Sequence, residues 1–89
     1  MIKAEFTSEL IRAARALLRW EQRQLAEASS VSLPTIKRLE AKSGPLLAHA
    51  STVAALTRAL EVAGIEFIDE NGSGPGVRLR NRQKPKQDK

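Results

Sequence analysis

At 89 residues, with 42% hydrophobic and only 3% aromatic side chains (Phe6, Trp20, Phe67), the chain has material for one core of Leu, Ile, Val and Ala, because independent domains take roughly 50 to 200 residues each. Its formal net charge of +5 suggests an anionic partner, yet residues 1–77 hold 9 basic and 9 acidic side chains while residues 78–89 hold 6 and 1, so the whole excess lies at the C-terminal end. The absence of cysteine and tyrosine, and the single histidine, His49, leave almost nothing for disulfides, thiolate metal sites or nucleophilic catalysis, and no run of about 18 apolar residues or leader-like N-terminus points to a membrane or to export.

In chain order, Thr7-Ser8-Glu9 reads as a helix start: Thr7 is able to cap, Glu9 lies in the positive first turn and Phe6 can staple onto Ile11. Leu10, Ile11, Ala14, Leu17 and Leu18 then recur at three- and four-residue spacing, with Arg12, Arg15 and Arg19 off that stripe, which predicts an amphipathic helix to about Trp20. A shorter helix over residues 22–29 presents Leu25, Ala26 and Ala28 among polar residues. Ser29-Ser30 interrupts it without Gly or Pro, so only a tight turn separates it from a third helix, capped by Ser32 and with Pro34 in the first turn, where its missing N–H costs nothing. That helix, residues 33–42, turns Ile36 and Leu39 inward and stops at Ser43-Gly44-Pro45.

After an apolar connector, Ser51 or Thr52 is placed to cap a fourth helix whose stripe is Val53, Leu56, Leu60 and Val62 or Ala63, and Gly64 supplies a left-handed ending with Ile65 just beyond it. Residues 65–68 and 77–80 read as two strands around the turn-rich segment 69–76. Past Arg80 no apolar side chain remains to bury, so residues 81–89 read as a disordered basic tail, either a phosphate-seeking arm or a solubilising end. The expected organisation is mainly α: a four-helix bundle over residues 1–64, a β-hairpin over 65–80 and the tail.

Two short helices joined by a tight turn and packed on a longer first helix form the arrangement that sets the second of the pair into a DNA major groove. The run I-R-A-A-R-A-L-L-R-W-E-Q-R-Q-L-A-E-A-S-S-V-S-L-P-T-I-K-R-L-E, residues 11–40, resembles the first three helices of the phage repressor and Cro type of helix-turn-helix proteins, also called XRE-like regulators. Arg15, Gln22, Leu25-Ala26, Val31-Ser32, Thr35-Ile36 and Glu40 carry the likeness, which extends more loosely to Gly64. The resemblance implies a lambda-repressor-like fold and sequence-specific binding of double-stranded DNA by the helix at 33–42. It implies that Gln22 contacts a phosphate and braces the recognition helix. Ser32, Leu33, Pro34, Lys37 and Arg38 match the face laid against base edges, and Thr35 a small polar position near the backbone. Arg15 and Glu40 match a buried or half-buried structural pair. Arg38 can fork onto guanine acceptors, whereas Leu33 and Pro34 offer only apolar contact to thymine methyls. Lys42 and Ser43, at the end of that helix, are placed for phosphate contact.

The run departs from the family pattern at three points. Glu21 stands where a capping Ser or Thr is usual and brings a negative charge towards the phosphate. Ser30 replaces a turn Gly and must adopt positive φ at a cost of about 1 kcal/mol or more. The hairpin takes the place of the short fifth helix often used for dimerisation. Ile65, Phe67, Val77 and Leu79 can pack on the fourth helix or across a two-fold axis, and a lone small reading module binds weakly without a second half-site, so a homodimer is expected.

Plainer readings stand beside these: an ordinary solvated helix face for Leu33, Pro34, Lys37 and Arg38, a helix-start cap for Gln22, a core residue for Trp20 and an exposed loop residue for His49. The function expected is that of a small transcriptional repressor or autoregulator of the reducing cytosol, not an enzyme, with no cofactor, metal or membrane. The alternative is a protein-interaction module, such as an antitoxin or antiactivator, that sequesters a protein partner.

Overall fold

The computed structural model describes residues 6–69 and 72–81. Four helices come first, α1 (Ser8–Leu18), α2 (Gln22–Ser29), α3 (Leu33–Ala41) and α4 (Ala50–Val62), and an antiparallel hairpin of β1 (Ile65–Ile68) and β2 (Gly76–Leu79) follows. The protein is therefore mainly helical, with the elements in the order read from the sequence.

Local chemistry sets most of the helix ends. Thr7 caps α1, its Oγ1 accepting from the Leu10 N–H at 3.1 Å. Arg19 takes a left-handed conformation, φ 59°, and the Trp20 N–H reaches back to the Arg15 carbonyl, so α1 stops at Leu18 and not at Trp20. At the start of α2, Gln24 Oε1 accepts from the Glu21 N–H at 2.8 Å, which satisfies an orphan donor without a Ser or Thr at position 21. Ser30 ends α2 at φ 64°, the positive-φ geometry that the missing turn glycine requires. Ser32 caps α3, accepting from the Thr35 N–H at 3.3 Å and donating to Thr35 Oγ1 at 2.9 Å; Pro34 lies in its first turn, and Lys42 is already extended. The start of α4 differs from the sequence reading. His49 is the flanking residue, its carbonyl accepting from the Thr52 and Val53 N–H groups at 3.0 Å, and Ser51 and Thr52 lie inside the first turn.

The core is wholly aliphatic: Ile11 and Ala14 of α1, Leu25 of α2, Ile36 and Leu39 of α3, Leu56, Ala59 and Leu60 of α4, and Ile65 of β1. Periodicity overreaches at the helix ends, where Leu17 and Val62 are 39% and 78% exposed. Ala28 is exposed as well. The reason is geometric, since a stripe is buried only along the length its neighbours cover.

The hairpin belongs to the same core. Its register pairs Ile65 with Leu79 and Phe67 with Val77, and these four pack on the helices, β1 against α4 and β2 against α1. Phe6 meets Phe67 edge to face, with ring centroids 5.0 Å apart at 87°, so the segment before α1 is tied to the hairpin. The second strand begins at Gly76 and ends at Leu79, one residue earlier than expected. Arg80 turns back instead, its N–H on the Gly64 carbonyl at 2.7 Å and its Nη2 on the Glu61 carbonyl at 2.9 Å, closing the C-terminal end of α4. None of the described helices is long and apolar enough to cross a membrane. Residues 82–89, nearly all of the expected basic tail, lie outside the described residues.

Candidate functional site

The placement of α3 is governed from its inner side. Ile36 and Leu39 are buried there, and Glu40 follows on the same side at 5% exposure, where a lone carboxylate would be strongly destabilising. Arg15 of α1 meets it with a fork, Nε to Oε2 at 2.8 Å and Nη2 to Oε1 at 2.6 Å. The third nitrogen of that guanidinium, Nη1, donates to the Trp20 carbonyl at 2.9 Å. Gln22, the first residue of α2, donates Nε2 to Glu40 Oε1 at 3.0 Å, and Arg12 donates Nη1 to the Glu40 backbone carbonyl at 2.6 Å. Side chains from α1 and α2 therefore converge on one residue of α3 and lock its rotation about its own axis.

The inward turn of Glu40 has an electrostatic consequence on the opposite side. It is the only acidic residue of α3, and its charge is neutralised by Arg15, so the outer side carries exposed Lys37 and Arg38, with exposed Lys42 just past the end. The other helices mix signs, with Glu9 near Arg12 on α1, Arg23 and Glu27 on α2, and Arg58 and Glu61 on α4. Among the described residues, α3 is the one helix whose exposed charge is wholly positive.

Beside α3, Arg38 borders two surface hollows. One, about 350 Å³, is shared with Thr35, Ala48, His49 and Thr52; the other, about 250 Å³, with Leu39, Lys42 and Pro45. Leu47 lines both and is 64% exposed. The N-terminal end of α4, with its unpaired N–H groups and positive dipole end, opens beside the first hollow next to Arg38. The segment that carries these residues is clamped to the start of α1: the Ser8 N–H donates to the Gly44 carbonyl at 2.9 Å, the Leu46 N–H to the Phe6 carbonyl at 3.1 Å, and the Gly44 N–H to Glu9 Oε1 at 3.1 Å. Hydrogen bonds from the Gly44 and Glu9 N–H groups, then the Arg12 charge and the Ser43 hydroxyl, hold the Glu9 carboxyl below its ordinary pKa.

Of the residues read as DNA-contacting, Ser32, Pro34, Lys37, Arg38, Lys42 and Ser43 are exposed, and Gln22, Leu33 and Thr35 are half-buried. They follow the start, outer side and end of α3, with Gln22 at its inner edge. Four already have partners: the Gln22 amide on Glu40, the Ser32 and Thr35 hydroxyls on each other, and Ser43 beside the Glu9 carboxylate. Arg15 and Glu40 pair directly. Of the two roles open to Ile65, Phe67, Val77 and Leu79, packing within their own chain is the one the structure fills, Ile65 being fully buried. Trp20 packs half-buried against the core, and its carbonyl, not its ring, joins the seam. Arg78 and Arg80, the first two cations of the basic stretch 78–89, are held on the body by Glu66 and by the end of α4.

Arg12, Leu47 and Thr52 were not legible as site residues. Arg12 had a usable signal, because it lies one turn from Arg15 on α1 and both can reach a single acidic residue on a neighbouring helix. Leu47 had none, since an apolar residue in an apolar connector gives no sign of facing water. No protein-family model and no curated protein matches the chain.

Proposed function

We propose that the protein is a sequence-specific DNA-binding transcriptional regulator of the lambda-repressor-like helix-turn-helix type, acting as a homodimer that sets α3 of each copy into the major groove of palindromic half-sites about one helical turn apart. The observation that carries this reading is the wholly cationic outer side of α3, held outward by the Arg15–Glu40–Gln22 seam although residues 1–77 as a whole carry no net charge. In this role Arg38 forks onto guanine, Lys37 faces base edges beside it, Leu33 and Pro34 touch thymine methyls, and Lys42 and the N-terminal end of α4 meet phosphates. Gln22 braces α3 through Glu40 and keeps its carbonyl oxygen and one N–H for other contacts.

The exposure of Leu47 next to Pro45 and α3 favours a second reading, a module that sequesters a protein partner through apolar anchors. Selection from random-sequence duplexes at several salt concentrations separates the two. A DNA reader enriches a palindrome and loses affinity with salt at a slope of about 0.9 per phosphate contact. Enrichment of no sequence, with a flat salt response, overturns the DNA reading.

A further inference from the structure

We infer that the groove between α2 and α4 binds a small organic carboxylate with an apolar body, the carboxylate on Arg58 and the body along Trp20 and the alanines of α4. The groove measures about 510 Å³; its apolar wall includes Trp20, Ala55, Ala59 and Val62, and its polar side chains include Ser29 and Arg58. Sites for small molecules span roughly 300 to 1,000 Å³ and are mostly apolar, with a few polar groups that orient the ligand. None of the lining residues belongs to α3, so occupancy of the groove and DNA reading are tested apart.

Charge and hydrogen-bond chemistry select the occupant. Arg58 is the one charged residue on the groove. Neither Glu27 of α2 nor Glu61 of α4 borders it, and Arg58 forms no ion pair among the described residues. The other side-chain polar groups of the lining are donors as well. The Trp20 indole N–H can only donate, and the Ser29 oxygen already accepts from the Val31 N–H at 3.1 Å, which leaves the Ser29 O–H to donate. A lone cation among donors, with no carboxylate beside it, matches one anionic group, and the apolar wall matches the rest of the molecule. An organic cation is repelled, and an acidic protein surface brings several charges to a site that has one. The chain's own residues 82–89 hold 4 basic and 1 acidic side chains and no large apolar one, so they match neither Arg58 nor the wall. Because Arg58 is exposed, its ion pair is screened and the apolar body supplies most of the affinity.

Trp20 is the single tryptophan of the chain, so its fluorescence reports directly on the groove. Titration of the full chain with octanoate is expected to change that emission saturably, with a Kd below about 1 mM, and octanamide and octylamine are expected to bind more weakly. Arg58→Gln is expected to weaken octanoate about fivefold and to leave octanamide unchanged, whereas Arg58→Lys keeps the preference for the carboxylate. Ala55→Leu, which fills the groove, is expected to abolish the response to octanoate and octanamide alike while the circular dichroism spectrum stays that of the wild type. Equal affinity for octanoate and octanamide, an octanoate affinity indifferent to Arg58→Gln, or no saturable response would each overturn the proposal. So would a second copy in the groove, seen in sedimentation velocity as a dimer that Ala55→Leu dissolves.

Discussion

Two Arg–carboxylate pairs of the same chemistry do different things in this protein. Arg15 and Glu40 meet at 2.6 Å with side chains 18% and 4% exposed, whereas Arg78 and Glu66 meet at 3.1 Å with side chains 63% and 44% exposed. Out of water, the first pair must satisfy nearly every donor and acceptor it brings, so it recruits Gln22 and the Trp20 carbonyl and in doing so fixes three helices relative to one another. In water, the second pair competes with solvent at little gain, and the hairpin that carries it is held by the aliphatic and aromatic side chains on its other side. The position of α3 thus depends on a polar seam, and that of the hairpin on apolar packing.

The largest expected effect breaks the seam. Glu40→Ala strands the Arg15 guanidinium in a buried place and is expected to cost about 3 to 5 kcal/mol in chemical denaturation; a loss as small as that of an exposed pair would refute an organising role. Phe67→Ala attacks the hairpin from its apolar side and is expected to cost about 2 to 3 kcal/mol, less than a fully buried phenylalanine because the ring is only half covered. A double-mutant cycle with Phe6→Ala should return about 0.5 to 1.5 kcal/mol of coupling. Arg38→Ala leaves the seam intact, so the unfolding midpoint stays put while discrimination at particular base pairs falls by about 1 to 3 kcal/mol; a uniform loss over all sequences would exclude base reading by Arg38. Ser30→Gly relieves the left-handed strain at φ 64° and is expected to stabilise by up to about 1 kcal/mol.

The smallest effect is at the exposed pair. Arg78→Ala is expected to lower the unfolding midpoint only slightly at physiological salt. Acid sharpens the contrast further. The Arg78 hydrogen bond and charge hold the Glu66 carboxyl below its ordinary pKa, as the Gly44 N–H does for Glu9. A carboxyl lowered on folding contributes stability above its unfolded pKa and loses it as pH falls through the folded value, so both contributions are full at neutral pH and fade only below about pH 4.5, the ordinary value for these groups. A pH titration of Arg78→Ala should lack the Glu66 part of that decline.

Much of the fold was legible because the signals are short-range. The caps at Thr7 and Ser32, the first-turn Pro34, the positive φ forced on Ser30 and the alternation of 65–68 with the second strand are each decided within a few residues. Places where the chain departs from that reading depend on distant partners. Arg19 takes the left-handed turn that lets the Trp20 carbonyl lie beside Arg15, α4 starts at Ala50 because His49 and not Ser51 leaves the connector, and Arg80 abandons the second strand for the end of α4. The pairing of Arg15 with Glu40 came from the family resemblance; residue chemistry alone offered Glu40 several arginines.

By itself the sequence determined the number and order of the helices and the presence of the hairpin, since hydrogen-bond chemistry and apolar spacing act over one or two turns. Only the tertiary structure decided which carboxylate is neutralised, which leucine and valine remain in water, and hence that the outer side of α3 is purely cationic. Burial and pairing are properties of surfaces that meet, and residues 25 positions apart, as Arg15 and Glu40 are, meet only once the whole core has closed.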